Sequence, residues 1–226
     1  MADTRVKPAA RGIGASSASA YVAQRGTIDG TAYTADWLAR LSAEGRMLTF
    51  NVGTRSTPIT GGGVYVATTP DLDVRIPAGT LVVPTRLEVV YETVGTSGIQ
   101  ECFALAGAGG TYATSAVPIV PTNHRTDLGD THGLLAQGPA TGAVIPTVNT
   151  TEFFRNSPPM GITKTSQSAT VTSIDPYRME WSALASGMWL HVYTVAESFA
   201  QIMVWAGGQA PTVFISLTVV VPPITE

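Results

Sequence analysis

Charged residues are scarce in this sequence. Asp, Glu, Lys and Arg make up 13% of its 226 residues, where an ordinary soluble domain carries about 25%. A free monomer of this size uses charge to keep its surface soluble. The shortage therefore points to a chain that covers much of its surface with other subunits, and uncharged polar residues suit such contacts. Lysine is almost missing, with Lys7 and Lys164 alone, and the net charge is -3. No segment is a basic run, which speaks against direct condensation of nucleic acid. The one local bias is at the N-terminus, where Arg5, Lys7, Arg11 and Arg25 face a single acid, Asp3. Cysteine is limited to Cys102, so an internal disulfide is excluded. Between Glu101 and Phe103 it reads as a small buried hydrophobe rather than a nucleophile. No apolar run reaches the length of a membrane-spanning helix. The polar first residues do not read as a secretion signal, and the expected compartment is a reducing cytoplasm.

What the sequence does have is apolar alternation. The stretch from Asp71 to Glu92 is its clearest example. Leu72, Val74 and Ile76 alternate with Asp71, Asp73 and Arg75, the period-two signature of a strand with one dry and one wet face. Pro77-Ala78-Gly79 breaks the pattern, because proline removes a donor and glycine permits positive φ. Leu81-Val82-Val83 resumes it and Pro84 interrupts it again. Leu87, Val89 and Tyr91 then alternate with Arg86, Glu88 and Val90. Three short strands with tight corners are predicted here, as part of an antiparallel sandwich.

Residues 1–30, rich in Ala, Ser and Gly without a sustained period, read as an extended arm. Residues 31–226 read as one domain. A helix is predicted over Thr34–Glu44, capped by Thr34, carrying Trp37, Leu38 and Leu41 on one face and ended by Gly45. Strands are predicted over Leu48–Val52, Val64–Ala67, Ile99–Ala106, Gly142–Val148 and Glu152–Arg155. Further ones are predicted over Ala169–Ile174, Arg178–Trp181, Met188–Val195, Gln201–Ala206 and Val213–Val221. Residues 111–149, dominated by Thr, Pro and Gly, read as a long loop of the kind that carries function or subunit contacts. Eight to ten strands with one short helix and no internal repeat give an all-β, antiparallel β-sandwich.

Candidate chemistry is thin. His124, Arg125, Asp127, Asp130 and His132 form the densest polar cluster. Two histidines and two aspartates within ten residues are metal-ligand types, but their spacing matches no calcium loop, and Asp-Leu-Gly-Asp is ordinary turn chemistry. The cluster is expected to be a polar loop or subunit contact, with no metal or other cofactor. His191 is expected to be a packed histidine in its strand. Glu88 and Glu92 share a strand face but stand about 13 Å apart by strand rise, beyond the range of a glycosidase pair. Gly61-Gly62-Gly63 lacks the following helix N-terminus that a phosphate cradle needs. A Gly-x-Ser-x-Gly elbow, a Ser-x-x-Lys motif and a His-Glu-x-x-His motif are all absent, so no enzyme is expected. Trp181, Trp189, Tyr193 and Trp205 are expected to fill the core, or else to form a sugar-stacking platform.

The arm, the alternating strands from Leu48 to Val221, the loop at 111–149 and the Ile-Pro-Ala-Gly-Thr corner at 76–80 together resemble viral single jelly-roll capsid proteins. The resemblance implies two sheets packed face to face, with end loops that make the contacts of a closed shell. It implies a virion structural protein that associates with copies of itself and with other virion proteins and assembles in the host cytoplasm. Arg5, Lys7, Arg11 and the 124–132 cluster are then the candidate contacts. Such coats often carry a strongly basic arm, and this arm is weakly basic, so little or no direct nucleic-acid binding is expected. A receptor- or carbohydrate-binding sandwich of a spike, fibre or decoration protein is the alternative.

Overall fold

The computed structural model describes residues 5–6, 22–23, 37–54, 56–62, 65–93, 101–112, 115–156, 177–207 and 211–223. In chain order the elements are β1 (Arg5–Val6), β2 (Val22–Ala23), α1 (Trp37–Ala43), β3 (Met47–Val52), β4 (Ile59–Thr60), β5 (Leu72–Pro77), β6 (Val83–Thr93) and β7 (Glu101–Ala108). Then come β8 (Ser115–Ile119), β9 (Thr122–Asn123), β10 (Leu135–Thr141), β11 (Val148–Asn156), β12 (Tyr177–Ser182), α2 (Ala183–Ser186), β13 (Phe199–Gly207) and β14 (Thr212–Val220). The predicted strand at Ala169–Ile174, the Thr34 cap and the cations Lys7, Arg11 and Arg25 lie outside the described residues. Arg5 stands in β1, which pairs with β2.

Two antiparallel sheets pack as a sandwich. One has the order β12-β6-β14-β3-β9, with β4 also on β14, and the other has the order β11-β7-β13-β5-β10-β8. Eight of the strands follow a nested rule. β3 pairs with β14, β5 with β13, β6 with β12, and β7 with β11. The first half of this set is thus laid antiparallel along the second half, outermost with outermost. The ties β6–β14 and β7–β13 complete the sheets.

Alternation explains which residues meet between the sheets. Leu48, Phe50 and Val52 of β3, Leu87, Val89 and Tyr91 of β6, and Val213, Ile215, Leu217 and Val219 of β14 are buried from the first sheet. Opposite them the second sheet presents Leu72, Val74 and Ile76 of β5 with many small residues, Ala104, Ala106 and Ala108 of β7 and Ala200 and Ala206 of β13. The alanines of the second wall leave room for the large side chains of the first, beside Leu72, Val74, Ile76, Ile202 and Val204 of their own sheet. α1 seats Leu41 on Val83 and Val220 and ends at Gly45 (φ 73°), as the sequence predicts.

The Asp71–Glu92 stretch departs from expectation in two ways. It forms two strands, β5 and β6, which lie in opposite sheets, with the Pro77-Ala78-Gly79 corner passing between them. Pro84 falls inside β6, where a register shift opposite Thr218 and Val219 accommodates it. The face carrying Asp71 and Asp73 is not wet: both are buried. Gln137, Gly110 and Thr111 close over Asp73, Gly62 approaches Asp71, and the described part of residues 111–149 is not a loop. It contains β8, β9 and β10, and β10 extends the second sheet beyond β5. The strand expected over Gly142–Val148 is instead an irregular segment tied by a bridge between Thr111 and Val144.

Two other expectations fail. Tyr65–Ala67 is not a strand. Met188–Val195 keeps strand-like alternation, with Val192 and Thr194 buried and Trp189, His191 and Tyr193 exposed. It makes only one bridge, Val82 with Val192, because α2 before it turns the chain off the sheet. Ser182 Oγ caps α2 by accepting from Ala185 N, and Gly187 (φ 69°) closes it.

Candidate functional site

Asn123 organises the 123–132 loop. Its side-chain amide donates to Gly45 O at 2.9 Å and Gly129 O at 3.0 Å, and its Oδ1 accepts from Arg125 N at 2.9 Å. The Arg125 guanidinium grips Asp127 in two bonds of 2.9 and 3.0 Å. That hydrogen bond holds the exposed Asp127 carboxyl below its ordinary range. Asp130 Oδ1 accepts from His132 N at 2.8 Å. His124 does not face His132's partner: its Nε2 lies 2.7 Å from Thr49 Oγ1, which in turn meets Thr218 Oγ1 at 2.9 Å on the outer face of the first sheet. Among the described residues no three His, Cys, Asp or Glu side chains stand together as a metal site. Most of the loop's polar groups are spent on turns, on the Thr49 contact and on one exposed ion pair, while His132 Nε2 is buried with no hydrogen-bond partner among the described residues.

A second polar group was not foreseen, and it is buried. On the outer face of the second sheet, the two Asp73 oxygens accept from Gln201 Nε2 at 3.1 Å and Gln137 Nε2 at 3.3 Å. Gln201 Nε2 also reaches Thr111 O at 3.4 Å. Gly110 (φ 95°) closes over this group, and a Cβ there would lie 2.6 Å from both Gln201 Oε1 and Val144 O. One row further along, Asp71 Oδ2 accepts from Ala206 N at 2.7 Å. Burial pushes the Asp71 carboxyl up to about 7, against the opposite pull of backbone N–H groups from Ala206 and Gly62. Burial, then the Asp73 charge, pushes Tyr112 up to about 12. Burial also raises the Cys102 thiol, which makes it an inert core residue. Beside these carboxylates Phe103 and Trp205 stack at 4.7 Å, Tyr65 meets both rings edge-on, and Trp205 Nε1 donates to Val66 O. The group is a sealed seam between sheet and cover. Its sequence signal was period two in β13, where Gln201, Met203 and Trp205 share a face.

The accessible features are elsewhere. Trp181 and Trp205 are buried, as expected of core aromatics. At one end of the sandwich, however, Leu184 is 74% exposed, Val195 72%, Tyr193 42% and Trp189 37%, with Met188 exposed beside them. The segment that carries them is firmly tied. Val82 and Val192 exchange backbone bonds of 3.0 and 2.8 Å, Gly79 N donates to Thr194 O at 2.8 Å, and Trp189 leans on Trp37 with centroids 5.3 Å apart. Along the β8 edge, Val117, Val120 and Leu135 are also exposed, and neither β8 nor β10 contains a charged residue.

Most exposed charges among the described residues, by contrast, are mutually paired. Arg86, Glu88, Arg178 and Glu180 close a ring of ion pairs of 2.8–2.9 Å across β6 and β12. Arg155 binds Glu152 and Glu101 on the edge formed by β11. Such a surface offers rigid apolar contact and little net field. No helix among the described residues is long and apolar enough to cross a membrane. Comparison with protein families, with curated proteins and with solved structures returned no match.

Proposed function

We propose that this chain is a self-assembling shell subunit, the coat protein of a virus particle, built on a jelly roll. The nested pairing of β3, β5, β6 and β7 with β14, β13, β12 and β11 supports the fold. A two-stranded ribbon rolled on itself alternates between two sheets in this way, and jelly rolls occur in capsid domains, lectins and cupins alike. The observation that carries the assembly reading is the end surface of Leu184, Met188, Trp189, Tyr193 and Val195. Those are the residue types of interface cores, and the backbone at Val192 and Thr194 and the Trp189 ring are tied to the sandwich before any partner arrives, which lowers the entropy cost of binding. A chain with 13% charge has little else with which to keep such a surface in water. The partners on this reading are copies of the same chain and other virion proteins.

The test is a Leu184→Asp, Val195→Asp double variant. Both positions are exposed, so its melting temperature should stay within about 2 °C of wild type, while its assembly, followed by light scattering, should fall at least tenfold. Assembly equal to wild type would remove this end surface from the contact. The partial exposure of Trp189 and Tyr193 supports a second reading, a carbohydrate-binding sandwich of a spike or fibre. That reading requires saturable quenching of tryptophan fluorescence by an oligosaccharide, lost on Trp189→Ala.

A further inference from the structure

Arg40, Arg46, Arg86, Arg125, Arg155 and Arg178 each have a carboxylate within ion-pair distance. Arg75 has none among the described residues. It points from the outer face of β5, partly buried, at the rim of the covered zone. Its guanidinium carbon lies 4.4 Å from the Phe199 ring centroid and 5.8 Å from that of Tyr112. Two rings therefore hold a cation that has no ion pair among the described residues, and a held guanidinium fork is suited to grip a carboxylate in two bonds.

Glu197 is its counterpart. It is partly buried and has no ion pair among the described residues, and it is the sole acid between Trp181 and Gly207. Both are placed around the start of β13, Arg75 over the Phe199 ring and Glu197 two residues before Phe199 in the chain. Gly109 N donates to Phe199 O, the residue under Arg75, while Glu197 Oε2 lies 3.6 Å from where a Gly109 Cβ would stand. Uncharged exposed residues flank them, Leu135 directly opposite Arg75 in the sheet and Val195 two residues before Glu197. A cation and an anion without an ion pair among the described residues, flanked by exposed apolar side chains, are self-complementary: a second copy turned through 180° presents the opposite sign to each. Two-fold interfaces have this reciprocity, residue i meeting j while j meets i.

We propose that Arg75 and Glu197 of one copy pair with Glu197 and Arg75 of a second copy across a two-fold axis. This rests on the self-assembly reading and names one of its contacts. The test is charge reversal followed by sedimentation and light scattering. Arg75→Glu and Glu197→Arg each place like charges opposite one another twice, and each should weaken association at least about tenfold. The double variant restores opposite signs and should return association to within a few-fold of wild type. Arg75→Gln and Glu197→Gln, which keep the shape without the charge, should fold normally by circular dichroism and fall between these extremes. Single reversals that associate as wild type, or a double variant that does not recover, would overturn the pair while leaving assembly standing. A wild-type chain that is monomeric at every concentration would overturn both.

Discussion

Asp71 is the side chain on which solution conditions act most directly. Its carboxyl is raised from an ordinary value near 3.8 to about 7 in the folded chain. Between those values the folded state holds a proton that the unfolded state has released. Stability from this group is thus full at low pH and declines as pH rises through the folded value, by at most about 1.4 kcal/mol per pH unit. Thermal unfolding followed from pH 5 to pH 8 should show that decline, and Asp71→Asn, which cannot ionise, should flatten it. A wild-type melting temperature that stays level over the same interval would show that the two backbone N–H groups, not burial, govern this carboxyl. Nothing in the sequence marks Asp71 or Asp73 as buried. They alternate with Leu72, Val74 and Ile76 as solvent-facing residues do, and only the cover supplied by distant residues reverses the reading.

That cover is the element where sequence and structure differ most. Thr, Pro and Gly in residues 111–149 hide β10, because a strand that leans on a buried Gln137 and carries Gly138 and Pro139 has no apolar alternation to read. The strands of the two-sheet core were legible for the opposite reason. β3, β6 and β14 each set three or more large apolar side chains at every second position, and period two then fixes which face is buried. The Met188–Val195 segment shows the limit of that rule, since the same alternation survives in a chain that makes a single bridge. The candidate site was less legible than the fold. The 124–132 cluster announces itself by composition yet spends most of its groups on turns, whereas the end surface at 184–195 stands exposed on α2 and on a segment that makes a single bridge to the sheet. The seam itself can be tested at Gly110. Its φ of 95° suits glycine alone, and an added methyl would press on Gln201 Oε1 and Val144 O. Gly110→Ala should therefore cost at least about 1 kcal/mol in denaturant unfolding. A midpoint unchanged within error would mean that the turn moves freely and does not clamp the seam.

At the scale of the whole molecule, three properties belong together. Most of the described charges pair within the chain, with Arg75 and Glu197 as exceptions, apolar side chains stand exposed at one end and along the β8 edge, and the charged fraction is half that of an ordinary soluble domain. Each is costly for a monomer, since exposed apolar patches invite association, and each is useful to a subunit whose neighbours cover those patches. Shell contacts of this kind are individually weak and gain strength from number. The most direct test of that account is the size of the purified wild-type chain, by light scattering across a concentration series with negative-stain imaging of the same samples. The account predicts closed particles, or pentamers and hexamers that grow into them as concentration rises. A monodisperse monomer throughout the series would contradict it.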